Sequence, residues 1–268
     1  MEEMTRLPDP YINQDYIVAY PQGTNDMWMG NPLAPEATYP DDRPFIINLL
    51  DSLEDTLCLG KSRTYITGFS NGGGLSGLLS CYPPALEWVA AFSAVAGAYY
   101  MTPTLPYITM FDLGECEGDR GRRGRVPFME IHGDADMPIA YDGNNTRAEG
   151  VSGPSTVPVL EWLERFAARN SRNASLAECA AQEQRYAEPS NVADEDESKG
   201  KGSVVKTYWY CGAEKEAVVG YQVTGLGHGW PSTVPLDSGL EGFRLGPTTW
   251  NASSVLLEWF TRFSLSRR

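Results

Sequence analysis

The chain has 268 residues, 42% apolar and 21% charged, enough for one large α/β domain or two nominal ones around a sizeable core. Its 35 acidic and 21 basic side chains give a formal charge of −14 with no Lys/Arg-rich arm, which argues against nucleic acid or an anionic membrane surface as partner. The longest apolar runs are too short, and too interrupted by Ser and Gly, to span a bilayer.

In chain order, the first fifteen residues carry no apolar stretch of the kind a secretory signal needs. Residues 16–20 (YIVAY) read as a buried parallel strand that ends at Pro21 and Gly23. Residues 27–39, rich in Pro, Asn, Trp and Gly, read as a loop on a working face. Asp41 and Asp42 cap a helix in which Phe45, Ile46, Leu49, Leu50, Leu53 and Leu57 recur at helical spacing. Residues 63–69 (RTYITGF) form the next strand, which runs directly into Ser70 and three glycines and then a short helix stopped by Pro83 and Pro84. Residues 88–96 and 126–132 read as two more buried strands. Between them lie Cys116 and an arginine cluster at 120–125, read as an exposed loop.

Ser155 or Thr156 is expected to cap an amphipathic helix with Val159, Leu160, Trp162, Leu163 and Phe166 on its apolar side. Residues 181–203 turn polar and acidic and read as a solvent-exposed insertion. Residues 204–211 and 217–223 alternate as a strand pair, and 254–263 closes the chain as a helix. Strands too apolar for one wet face, alternating with helices, predict a mostly parallel sheet covered on both faces within a single α/β domain.

Gly68-Phe69-Ser70-Asn71-Gly72 matches G-x-S-x-G with a strand before it and a helix after. So sharp a turn strains the serine backbone, exposes Oγ and sets the Asn71 amide beside any oxyanion formed there. A hydroxyl nucleophile needs a base, and there are two histidines. His228 lies in a loop just after a strand, where a base can reach the serine; His132 ends a strand and is expected to brace the loop that follows. The acid should lie between serine and histidine in sequence, at Asp136 or, as the alternative, Asp134. Two well-separated histidines and no cysteine cluster point to no metal or cofactor.

The run YPQG, Trp28, GFSNGGG, AFSAVAGA, HGDAD, YDG and GHGWP resembles the fungal feruloyl esterases and related carbohydrate esterases, neighbours of the polyhydroxybutyrate depolymerase-like proteins. The resemblance implies an α/β hydrolase fold with Ser70, Asp136 and His228 as triad, acting on feruloylated arabinoxylan or small aryl esters, with an acetyl xylan esterase, a polyhydroxybutyrate depolymerase-like esterase or a catalytically dead truncated form as the alternatives. It also implies secretion, disulfides and glycosylation; the sequons are at Asn144, Asn173 and Asn251. Trp28 and Trp230 are the expected contacts for a planar acyl group. The family also has an earlier strand whose HG loop supplies a second oxyanion amide, so the chain is expected to be N-terminally incomplete. If the helix after Ser70 runs back along its strand, Cys58 pairs with Cys81; Cys179 and Cys211 make a second pair and Cys116 is left over.

Overall fold

The computed structural model describes residues 1–29, 31, 41–100, 125–143, 156–170, 180–186, 203–210 and 217–265. Four strands run parallel: β1 (Tyr65–Phe69), β2 (Ala91–Val95), β3 (Phe128–Gly133) and β6 (Val218–Val223). β5 (Val204–Tyr210) and β4 (Ala180–Tyr186) extend the sheet antiparallel, giving the order β1-β2-β3-β6-β5-β4. With helices around it, this mostly parallel sheet is that of an α/β hydrolase-like fold.

Strand alternation sends side chains to opposite faces, and each face meets its own core. Phe92 and Ala94 of β2 and Phe128 of β3 pack under α3 (Asn71–Leu79), α4 (Pro83–Trp88) and α5 (Val159–Asn170). Ala91, Val95, Met129 and Ile131 point the other way, onto Leu256, Trp259 and Phe260 of α7 (Ala252–Phe260). α5 buries Val159, Trp162, Leu163, Phe166, Ala167 and Asn170, whereas Leu160 faces outward. Trp162 stacks on Tyr99 with centroids 4.7 Å apart and meets Phe128 edge-on, so its truncation to Ala should cost about 3–5 kcal/mol. No helix among the described residues is long and apolar enough to cross a membrane.

Several expectations are corrected. Residues 16–20 form no strand: the segment joins no ladder, and Ile17 is 69% exposed while Tyr16 packs edge-on against Tyr65. An apolar run becomes a strand only with a partner edge. Among the described residues the outer edge of β1 has no paired strand, and all five residues of β1 are half-buried where those of β2 and β3 are buried. Pro83 and Pro84 do not merely stop a helix; they occupy the first turn of α4, where a missing N–H costs nothing.

The stretch read as an insertion begins with β4, exposed at 181–184 because it is the outermost strand. Residues 187–202 lie outside the described residues, as does most of the arginine cluster. Thr156 does not cap α5 but bridges to Tyr100. The α2 helix (Asp42–Thr56) does begin at an Asp41 cap, the carboxylate accepting from Arg43 N. Asn251 caps α7, its Oδ1 accepting from Ser253 N at 2.8 Å; Asn144 and Asn173 lie outside the described residues.

The Cys58–Cys81 pair is also corrected: Cys58 is free and exposed, and Cys81 is disulfide-bonded. Cys81 packs against the core cluster that α3 and α4 cover, whereas Cys58 is exposed after α2. Cys116, Cys179 and Cys211 lie outside the described residues.

Candidate active site

Ser70 sits between β1 and α3 with φ 55 and ψ −119, outside the basins open to an L-residue. The surrounding backbone holds it there. Its N–H donates to the Val95 carbonyl at 3.0 Å, and its carbonyl accepts from Gly74 N and Ala98 N, both at 3.0 Å. Close approach explains two of the glycines. A Cβ on Gly68 would fall 2.1 Å from the Gly72 carbonyl oxygen, and one on Gly73 would fall 2.9 Å from Gly97 Cα. Gly72, the second glycine of the motif, has room: a Cβ there meets only the Trp28 ring, at 3.7 Å.

The parallel sheet brings the ends of β1, β3 and β6 to one rim, where the three sequence candidates meet. His228 Nε2 lies 2.9 Å from Ser70 Oγ and Nδ1 lies 2.7 Å from Asp136 Oδ2. The other oxygen of Asp136 accepts from Ile139 N at 2.8 Å. Burial opposes ionisation of Asp136, but hydrogen bonds from His132 and His228 outweigh it and hold the carboxyl below its ordinary range. Phe69 packs beside the His228 ring at 4.9 Å. This line from carboxylate to imidazole to hydroxyl is the arrangement that turns serine into a nucleophile.

Against known proteins, no protein-family model matches the chain. Over 132 residues, 49% of its length, it is 30% identical to "Probable feruloyl esterase C" of Aspergillus flavus and 29% identical to feruloyl esterase C of Emericella nidulans. The chain is similar to feruloyl esterases. Feruloyl esterase B of Piromyces equi is 28% identical over 133 residues. The matched segment spans 40% of the length of the first two feruloyl esterases and 22% of the third.

The remaining candidates fall differently. Asp134 is exposed; its Oδ1 accepts from Gly225 N at 2.7 Å and joins the loop after β3 to the loop after β6. Asn71 opens α3, and its side-chain oxygen accepts from Trp28 N at 2.7 Å. The amides of Asp26, Met27, Trp28 and Met29 are all engaged elsewhere, so none of these four is a spare oxyanion donor. Trp28 is half-buried beside Gly72, its ring stacked on Phe45 at 6.3 Å. Trp230 departs from expectation. It is fully buried in the core beneath α7, with Nε1 donating to Ser253 Oγ at 3.1 Å, and offers no surface to a substrate.

Two groups of residues escaped the sequence reading. Arg244, buried at the end of α6 (Ser238–Arg244), ion-pairs with Glu241, and its guanidinium reaches the carbonyls of Trp230, Ser232 and Val234, while its own carbonyl accepts from Gly227 N. The loop that carries His228 is therefore clamped on both sides of it. Nothing in the sequence marks Arg244 for this. Glu130 and Tyr99 are the second group, and the signal for Glu130 was a carboxylate inside an otherwise apolar strand.

Proposed function

We propose that this protein is a serine carboxylic ester hydrolase that releases hydroxycinnamic acids from plant cell-wall polysaccharide esters through an acyl-enzyme. The observation that carries the reading is the unbroken hydrogen-bonded line from Asp136 through His228 to Ser70 Oγ at a strained turn. In this mechanism Ser70 Oγ attacks the ester carbonyl while His228 Nε2 takes its proton. Charge on the carbonyl oxygen is met by the Asn71 amide at the start of α3. The imidazolium returns its proton to the leaving alkoxide, leaving Ser70 acylated; water activated by His228 then releases the acid and restores the hydroxyl. Asp136 holds the tautomer with the proton on Nδ1 and stabilises the cation.

The hydroxycinnamoyl preference draws support from the feruloyl esterase names of the relatives and from the Trp28–Phe45 stack beside Gly72, an aromatic face next to the elbow. Secretion draws support from the disulfide at Cys81, since such bonds persist in oxidising compartments. Initial rates on methyl ferulate and on an acetyl ester, for the wild type and for Ser70→Ala, test the reading. Ferulate turnover lost on Ser70→Ala supports it; turnover of the acetyl ester alone makes the protein a different esterase, and turnover that survives the substitution refutes the mechanism.

A further inference from the structure

Behind the triad lies a second histidine–carboxylate cluster that the mechanism above does not use. Glu130 and His132 alternate along β3, so both side chains point to the same face, and both are completely buried. Glu130 Oε1 accepts from Gly97 N at 2.9 Å and lies 2.9 Å from His132 Nδ1, while Oε2 accepts from the Tyr99 hydroxyl. The far nitrogen of the ring, Nε2, lies 2.8 Å from the Ile139 carbonyl and 3.3 Å from Asp136 Oδ2.

Each ring nitrogen therefore faces an oxygen acceptor at hydrogen-bond distance. A neutral imidazole carries one N–H and would turn a lone pair toward one of those acceptors; an imidazolium satisfies both. The cluster also bridges the two halves of the site. Glu130 anchors residues 97–99, whose Ala98 N donates to the Ser70 carbonyl, and His132 anchors Ile139, whose N donates to Asp136.

We propose that His132 is a positioning residue, protonated across the neutral pH range, that shares Asp136 Oδ2 with His228, fixing the acid in place and limiting the basicity of the catalytic base. This rests on the triad reading above. The same carboxylate oxygen lies 2.7 Å from His228 Nδ1 and 3.3 Å from His132 Nε2, so positive charge on one ring weakens what Asp136 can give the other. Burial works against the charged ring, but the hydrogen bonds and charges of Asp136 and Glu130 push His132 up to about 10. The titratable groups around the ring are Glu130 from its own strand, Asp136 from the acid loop, Tyr99 beyond Glu130, and Tyr141, whose ring meets it edge-on at 5.9 Å. His228 lies beyond Asp136, and Asp134 faces Gly225 at the surface. From β6 the residue opposite is the uncharged Gln222.

The chain holds two histidines, so ring ¹⁵N spectra of histidine-labelled protein resolve the question directly. Between pH 6 and 8 one imidazole should keep both nitrogens protonated, and its signals should vanish in His132→Gln. Two imidazoles that are both neutral at pH 8 would overturn the proposal. The second arm is the pH profile of kcat/KM. With the competing charge removed by His132→Gln, the acidic limb should move up by about 1 pH unit, the size of effect a neighbouring charge exerts. A fall in kcat with an unmoved limb would overturn the charge role and leave His132 as a loop brace. If His132→Gln does not fold, the wild-type spectrum decides. A failure of the triad reading looks different: the wild type would lack esterase activity whatever the protonation of His132.

Discussion

The end of β3 and the loop after β6 each present a histidine to Asp136, in opposite surroundings. His132 is sealed, with an acceptor on each nitrogen; His228 keeps part of its side chain in solvent, with a carboxylate on one nitrogen and a hydroxyl on the other. A hydroxyl can give up its proton to the ring, whereas a carbonyl can only receive. In the proposed mechanism the same side chain is a base in the loop after β6 and a fixed cation at the end of β3, and the second partner decides which.

The most damaging way to break this division is to remove the group that sets His228 apart. Ser70→Ala should lower kcat by about 10⁴-fold or more and leave folding intact, as steady-state rates and thermal melts will report. Next in size is the carboxylate both rings share. Asp136→Asn should cost about 10⁴ in kcat by favouring the wrong tautomer of His228. Asp134→Ala should leave kcat within a few-fold, because the Asp134 side chain ties the two loops through Gly225 N; its cost of about 1–2 kcal/mol belongs in denaturant unfolding.

The pH dependence of stability sharpens the contrast. The folded-state pKa of His132 is raised to about 10, above the roughly 6.5 of an unfolded imidazole. Its contribution is therefore complete below about pH 6.5 and is lost as pH rises toward about 10. Asp136 runs the other way: its pKa is lowered in the fold, so its contribution holds above the unfolded carboxyl pKa and fades as the solution is acidified through the folded one. Urea midpoints for wild type and His132→Gln between pH 6 and 10 should converge at the alkaline end. The smallest effect is expected at the elbow. Gly72→Ala should change stability by about 0.5 kcal/mol or less, whereas Gly68→Ala, with its Cβ 2.1 Å from a carbonyl oxygen, should fold poorly in the same assay.

What could be read from the sequence follows a physical line. That Ser70, Asp136 and His228 come together was legible because the proposed chemistry demands particular residue types at strand ends, and apolar runs marked β2 and β3 because both faces of those strands are buried. Residues 16–20 misled because apolar character says nothing about whether a neighbouring edge is present to pair with. β4 was hidden for the converse reason, since an edge strand can be polar over Gln182, Glu183 and Gln184 and still form a ladder with β5. Trp230 lay two residues from His228 in sequence but points into the core, and only the turn of the base loop around Arg244 decides that. The cysteine pairing failed because it assumed that Cys81 returns toward Cys58, when α4 follows at once and Cys81 faces the core.

In the proposed mechanism Ser70 is, among the described residues, the hydroxyl that its neighbours make a nucleophile. Treating the native protein with an aryl phosphonate and locating the adduct by peptide mass spectrometry tests that most directly. A single adduct on Ser70 is expected, formed in the wild type and absent from His228→Ala over the same time. An adduct on any other residue, or labelling of Ser70 at an equal rate without His228, would contradict it.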